Sequence, residues 1–226
     1  MTPVGILGGM GPEATILLMQ KVLAAVPARD DADHIPLIVH QNPQVPSRIA
    51  ALIEGQGTDP GPVLAQMAHD LAQAGAKALA MPCNTAHHYA STVEDATPLP
   101  FLNMIELTSS HLAEKGAARV GMLASPAVRL TDAFGPSFRA QRITAVFPED
   151  DAPVLSVIRA VKAGQPVDAS LLVREMEKLA ARGCDHILVA CTELSLMVFD
   201  LPRMLPVTDS LDCLTSAIVR FARSAP

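Results

Sequence analysis

Two segments of this 226-residue chain repeat one local design, and each delivers a cysteine to the same place. GAKALAMPCNT runs from Gly75 through Cys83 and GCDHILVACTE from Gly183 through Cys191, so each glycine stands eight residues before its cysteine. In both, the glycine closes a helix, five or six mostly apolar residues form a buried strand, and the residues after the cysteine open the next helix. A second pair, VGILGG at 4–9 and VGMLAS at 120–125, aligns in the same order. Such a duplication constrains the chain to two similar halves, each with one thiol at the mouth of a parallel sheet, facing one another across a cleft.

The remaining pattern fits that plan. Strands are expected at 4–8, 35–40, 77–82 and 99–102, then again at 119–124, 143–147, 186–190 and 205–208, with helices between. Leu64, Met67, Ala68, Leu71 and Ala72 form one apolar stripe at helical spacing, with Gln66, His69, Asp70 and Gln73 facing water. Asp59 and Pro60 suit the start of this helix. Leu172, Met176 and Leu179 share a face in the second half, opposite Arg174, Glu177 and Lys178. Strand and helix alternation with short connections predicts right-handed crossovers and an α/β fold of two flavodoxin-like halves, each a small parallel sheet flanked by helices. Ligands of such sheets bind at the carboxyl ends of the strands. The boundaries fall at 1–103, carrying Cys83, and 104–208, carrying Cys191. The segment 209–226 contains a last helix, 210–222, expected to pack on the first half.

Composition narrows what the cleft serves. Half of the residues are hydrophobic, enough for a sizeable core. A formal charge of -6, with 3% aromatic residues and no Lys or Arg run, argues against a nucleic-acid surface. The start, MTPVGILGG, lacks the basic region of a signal peptide, and no stretch reaches the roughly 18 apolar residues of a membrane span, so a cytoplasmic protein without membrane contact is expected. The four cysteines are read as free thiols, and no CxxC or His-rich spacing points to a metal. Cys184, at the start of a strand, and Cys213, within a helix, read as core residues.

GILGGMGPEAT is a strand, a glycine turn around Met10 and a helix starting near Pro12. Gly8, Gly9 and Gly11 let backbone N–H groups approach an anion at the helix N-terminus, or simply supply a turn with positive φ. The spacing matches neither the dinucleotide fingerprint nor a phosphate loop.

GILGGMGPEAT, MPCNTAH around Cys83 and ACTE around Cys191 together resemble the aspartate/glutamate racemase family, most closely its aspartate racemase branch, along nearly the whole chain. NPQVPSR, ending in Arg48, and IRAVKAG, containing Lys162, resemble that branch more weakly. The resemblance implies cofactor-independent racemisation of an amino acid by two cysteines in a cleft, in a homodimer, with aspartate as first substrate and glutamate as second. Its NPQVPSR piece implies Arg48 in a bidentate pair with the distal carboxylate, and Lys162 can supply a second positive charge, the alternative for both being a solvated surface; Glu193 either neutralises the ammonium group, tunes Cys191 or is a plain first-turn helix acid.

The residues make chemical sense of that reaction. Racemisation removes a proton from one face of the α-carbon and adds one to the other, so two acid/base groups must flank it, and Cys83 and Cys191 are candidates as thiolate and thiol. A helix start after each cysteine would lower its pKa. Asn84, Thr85, Ser125 and Thr192 are candidate donors to the α-carboxylate as charge develops. His87 either orients the site or packs, while His88 and Tyr89 belong to an outer surface. Ser47 stands where the family has Asp, SPAVRLT replaces a Thr-rich stretch, and Val128 replaces a polar residue, all of which bear on substrate choice. The alternatives are a cysteine-dependent isomerase of a small diacid such as maleate, which would form a thioether adduct, and a non-catalytic amino-acid-binding protein, for which paired thiols would have no use.

Overall fold

A computed structural model describes residues 1–200 and 204–224. The parts of the expected second half and C-terminal segment at 201–203 and 225–226 lie outside the described residues. The chain forms two four-stranded, wholly parallel sheets. The first contains β1 (Val4–Gly8), β2 (Leu37–Gln41), β3 (Ala78–Ala80) and β4 (Phe101–Leu102), in the order β2-β1-β3-β4. The second contains β5 (Arg119–Ala124), β6 (Thr144–Val146), β7 (His186–Ala190) and β8 (Val207–Asp209), in the matching order β6-β5-β7-β8. The helices are α1 (Pro12–Ala24), α2 (Arg48–Leu52), α3 (Gly61–Gln73), α4 (Ala90–Ala96), α5 (Met104–Glu114), α6 (Pro126–Leu130), α7 (Gly135–Gln141), α8 (Ala152–Lys162), α9 (Ser170–Ala181) and α10 (Ser210–Ser224). Three expected strands, at 4–8, 119–124 and 186–190, have the observed limits, while the central strand expected at 77–82 and the four edge strands are shorter or shifted by one to three residues.

The duplication holds residue by residue. Val4 pairs with Ala78 and Val120 with His186, and in each case the second partner lies three residues past the glycine of the repeat. Both glycines have positive φ, 99° at Gly75 and 78° at Gly183, the backbone that ends α3 and α9. Gly5 and Gly121 are a further equivalent pair. A Cβ on Gly5 would lie 2.9 Å from the Ala76 Cβ and 3.1 Å from the Leu71 Cβ, and one on Gly121 would lie 3.1 Å from the Leu179 Cβ. A crossover helix therefore presses on the central strand in each half. Gly5→Ala is expected to cost about 1–3 kcal/mol, because Ala76 has no side chain to swing away. A lower urea midpoint at unchanged slope would show it.

Both faces of each sheet are covered, which is why β1 and β7 are buried along their whole length and, apart from His186 at the start of β7, carry no polar side chain. On the first sheet, α3 packs Leu64, Met67 and Leu71 against Leu7 and Leu79. The opposite face takes Leu18 and Val22 of α1 with Leu211, Leu214 and Ile218 of α10, so the C-terminal helix does cover the first sheet. The second sheet packs α8 and α9 on one face and α5 and α7 on the other. The carboxyl ends of β1, β2, β3 and β7 run into the segments GMGPEAT, NPQVPSR, MPCNTAH and CTE. No helix among the described residues is long and apolar enough to cross a membrane.

Candidate active site

The two central strands of each sheet supply the site. β3 leads through Met81 and Pro82 to Cys83, β7 leads directly to Cys191, β5 leads to Ser125, and β1 leads to the turn at Gly9–Gly11. Cys83 and Cys191 line one cavity of about 80 Å³, and both are buried. Met10, Arg48, Thr85, Ser125, Lys162 and Glu193 line it as well. Gly11 lies instead in an adjoining groove with Arg48 and Lys162. A larger groove of about 670 Å³ between α5 and α10 touches neither cysteine.

Asn84 and Thr192 do not line the cavity; they hold the loops that do. The Thr192 hydroxyl donates to the Pro82 carbonyl at 3.1 Å, tying the loop of the second cysteine to that of the first. Asn84 Nδ2 donates to Ser210 Oγ at 2.9 Å, which anchors the residue after Cys83 to the start of α10. His87 is buried with both ring nitrogens engaged. Its Nε2 accepts from the Met104 N–H at 3.0 Å, so Nδ1 carries the proton and donates to the Cys83 carbonyl at 2.8 Å. Burial pushes its pKa down to about 4, against the opposing pull of that carbonyl, and the ring stays neutral at ordinary pH. The ring thus ties the Cys83 carbonyl to the start of α5 and also packs on Phe101, with ring centroids 5.4 Å apart; His88 is exposed and Tyr89 partly buried.

Three expectations need correction. The residues after the cysteines form 3₁₀ turns, Thr85–Tyr89 and Leu194–Asp200, and not α-helices. The Cys191 thiol is also not acidified: burial pushes its pKa well above the ordinary range, helped by the charge and hydrogen bond of Glu193 and opposed by Lys162. The glycine turn is not an open set of donors either. The Gly9 N–H is taken by Thr15 Oγ1 at 2.9 Å, and positive φ at Gly9 (92°) allows the backbone of Asn42 to pass where a Cβ would stand.

The charged groups form a graded arrangement. Lys162 Nζ lies 2.5 Å from Glu193 Oε1, and the Cys191 thiol donates to Glu193 Oε2 at 3.0 Å. Burial works against the Lys162 charge, but the Glu193 carboxylate outweighs it and the ammonium pKa is raised. Arg48 is fixed by Nη1, which donates to the carbonyls of Val45 (3.1 Å) and Pro46 (3.0 Å). Its Nε is buried with no hydrogen-bond partner among the described residues, a donor that an anion would satisfy. Ser125 caps α6 through its hydroxyl oxygen, leaving the O–H at the cavity wall.

Sequence reasoning missed two walls of the cavity, Ile49 and Ile158. Ile158 stands one turn before Lys162 on α8, so helical spacing from the lysine could have found it. Ile49 carried no signal beyond following Arg48. Ser47, singled out as a departure, both lines the cavity and caps α2 by accepting from the Ala50 N–H.

The sequence and the fold have counterparts among known proteins. The sequence profile of the Asp/Glu/hydantoin racemase family matches residues 7–218. The chain is similar to the broad specificity amino-acid racemase RacX of Bacillus subtilis (strain 168), with 24% identity over 223 residues, 96% of each chain. It superimposes on the aspartate racemase of Picrophilus torridus with a TM-score of 0.86 and 30% identity, covering 98% of this chain and 94% of that one. A glutamate racemase from Francisella tularensis, solved with D-glutamate, shares the fold at a TM-score of 0.67 and 14% identity, covering 97% and 80%.

Proposed function

The chain belongs to the Asp/Glu/hydantoin racemase family, and from that premise we propose that it is a cofactor-independent amino-acid racemase in which Cys83 and Cys191 exchange the α-proton. The observation that carries this reading is that the two cysteines, reached from equivalent strands of the two halves, line the same small cavity. One removes the proton from one face of the α-carbon and the other protonates the opposite face. The carbanion between these steps carries extra negative charge on the α-carboxylate, and the Ser125 and Thr85 hydroxyls, at the cavity wall beside the two cysteines' loops, can stabilise it.

Aspartate is the proposed first substrate and glutamate the second. The support is Arg48, whose guanidinium is anchored by Nη1 while its buried Nε lacks a partner. The apolar walls Ile49 and Ile158 favour a second reading, a wider range that includes aliphatic side chains. Incubating the protein with each L- and D-amino acid in deuterated buffer, followed by chiral analysis and mass, tests both. The expected product is the opposite enantiomer carrying one deuterium at the α-carbon. Absence of inversion and of exchange with every amino acid would overturn the assignment.

Arg48→Ala is expected to narrow the preference for aspartate over alanine by about 2–3 kcal/mol, the scale of a hydrogen bond to a charged group. Arg48→Lys should restore little of it, since an ammonium lacks the planar fork. The ratio of kcat/KM for the two substrates in each variant reads the effect. An unchanged ratio would leave Arg48 without a role in substrate choice.

A further inference from the structure

The two cysteines occupy equivalent places in the repeat but have unlike neighbours. Two residues past Cys191 stands Glu193, whose Oε2 accepts the thiol proton at 3.0 Å. Two residues past Cys83 stands Thr85, and the Cys83 sulfur makes no hydrogen bond among the described residues. Glu193 is itself buried and ion-paired through its other oxygen with Lys162 from α8, at 2.5 Å. The carboxylate is thus held between a cation and a thiol, with one oxygen turned to each.

Resting on the two-cysteine reading above, we propose that Glu193 is a positioning residue that keeps the resting proton on Cys191, so that Cys83 is the base in the resting enzyme. The charges fit. The groups facing Cys191 are Glu193 from its own loop, Lys162 from α8 and Cys83 from the opposite half. With Lys162 and Glu193 ionised, their charges cancel, and a thiolate at Cys191 would add an uncompensated charge beside a carboxylate in a buried place. A thiol there adds none and gains a charge-assisted hydrogen bond.

The proton balance follows. When one enantiomer binds the resting enzyme, the Cys83 thiolate takes the α-proton and becomes a thiol. The Cys191 S–H bond breaks to deliver its proton to the opposite face, which leaves Cys191 as the thiolate. The other enantiomer needs the reverse arrangement, so the free enzyme must first move a proton from Cys191 to Cys83 by way of solvent. Lys162 limits the cost of that second state, because its ammonium stays within reach of the new negative charge through Glu193.

The test is the pH dependence of alkylation at each cysteine by iodoacetamide, resolved by peptide mass spectrometry, in the wild-type protein, Glu193→Gln and Lys162→Met. Cys83 should alkylate at lower pH than Cys191 in the wild type. Glu193→Gln removes the carboxylate while keeping its shape, and should move the Cys191 profile down by roughly 1–3 pH units. Lys162→Met should move it up. In Glu193→Gln the Cys83 profile should move far less than that of Cys191, which also reports that the fold is intact, whereas in Lys162→Met it should rise along with that of Cys191, because the Lys162 charge acts on both thiols. A purely structural role for Glu193 would give no such opposite shifts. Coincident profiles for the two cysteines, or a Cys191 profile that Glu193→Gln leaves unmoved, would overturn the proposal. Alkylation needs no turnover, so a protein that failed to racemise any amino acid would strike the proposed function and leave this result standing on its own.

Discussion

Replacing either Cys83 or Cys191 by serine is expected to lower racemisation by roughly 10²–10⁴-fold, the contribution of a positioned acid or base. An alcohol is a far weaker acid than a thiol, so serine can neither supply the thiolate nor release a proton readily. Each variant should nevertheless keep half of the chemistry. With Cys191→Ser, Cys83 still removes and returns a proton on its own face, so one enantiomer should take up deuterium from solvent without inverting. Cys83→Ser should exchange the opposite enantiomer. The paired result would say which cysteine serves which hand, and full racemisation by either variant would end the two-cysteine assignment. Cys184→Ala and Cys213→Ala are the controls, since neither thiol lines the cavity, and they should affect stability alone.

A second large effect concerns stability in acid, where two buried groups oppose each other. Burial holds the His87 pKa at about 4 against an ordinary 6.5. The unfolded chain therefore binds a proton there between pH 6.5 and 4 that the folded chain refuses, and stability falls by roughly 3 kcal/mol as the pH drops through that window. Asp209 has the reverse sign. Burial and the nearby charge of Asp212 raise its pKa from 3.8 to about 6, although Ser195, the Leu211 N–H and Lys21 pull the other way. The folded chain takes up that proton first, so roughly 2–3 kcal/mol returns as the pH falls from 6 toward 4. The wild type should be nearly flat with respect to this pair. Asp209→Asn keeps an acceptor for Ser195 and Leu211, which now bond to the carboxylate at 2.7 and 2.9 Å, but removes the titration. Its stability should fall below that of the wild type by a further 2–3 kcal/mol, roughly, between pH 6.5 and 4. Urea melts at a series of pH values measure this, and a constant gap between the two proteins would refute the Asp209 assignment.

Much of the fold was readable because the repeat is written in residues whose physics is local. Gly75 and Gly183 mark helix ends through positive φ, and apolar runs such as ILVA of β7 can only be buried. Edge strands were less legible. β4 is two residues long and β2 is only half-buried, so neither is set by a strong hydrophobic pattern. The site was readable where a reactive side chain stands at the end of such a strand, as with Cys83 and Cys191. It was opaque where the contact is made by chain-distant partners. The tie from Asn84 to Ser210 spans 126 positions, and that from Thr192 to Pro82 spans 110. The pKa of Cys191 was misjudged for the same reason, because a helix start acts locally whereas burial and a carboxylate turned back on the thiol depend on how the halves meet.

The unequal flanks of the two cysteines meet a thermodynamic limit that no residue can alter. L and D forms of one amino acid have the same free energy in water, so for a racemase kcat/KM must be identical for the two hands in the wild type and in every variant. Glu193 and Lys162 cannot give the enzyme a preferred direction. What they can shift is the energy of the bound states, so that one hand is held more tightly and turned over more slowly, by the same factor. A substitution at Glu193 that changes kcat/KM for one enantiomer must therefore change it by the same factor for the other, while kcat and KM taken singly can shift differently for L and D. An asymmetric site in a symmetric scaffold thereby decides which mirror image rests on the enzyme, and leaves the mixture in solution even.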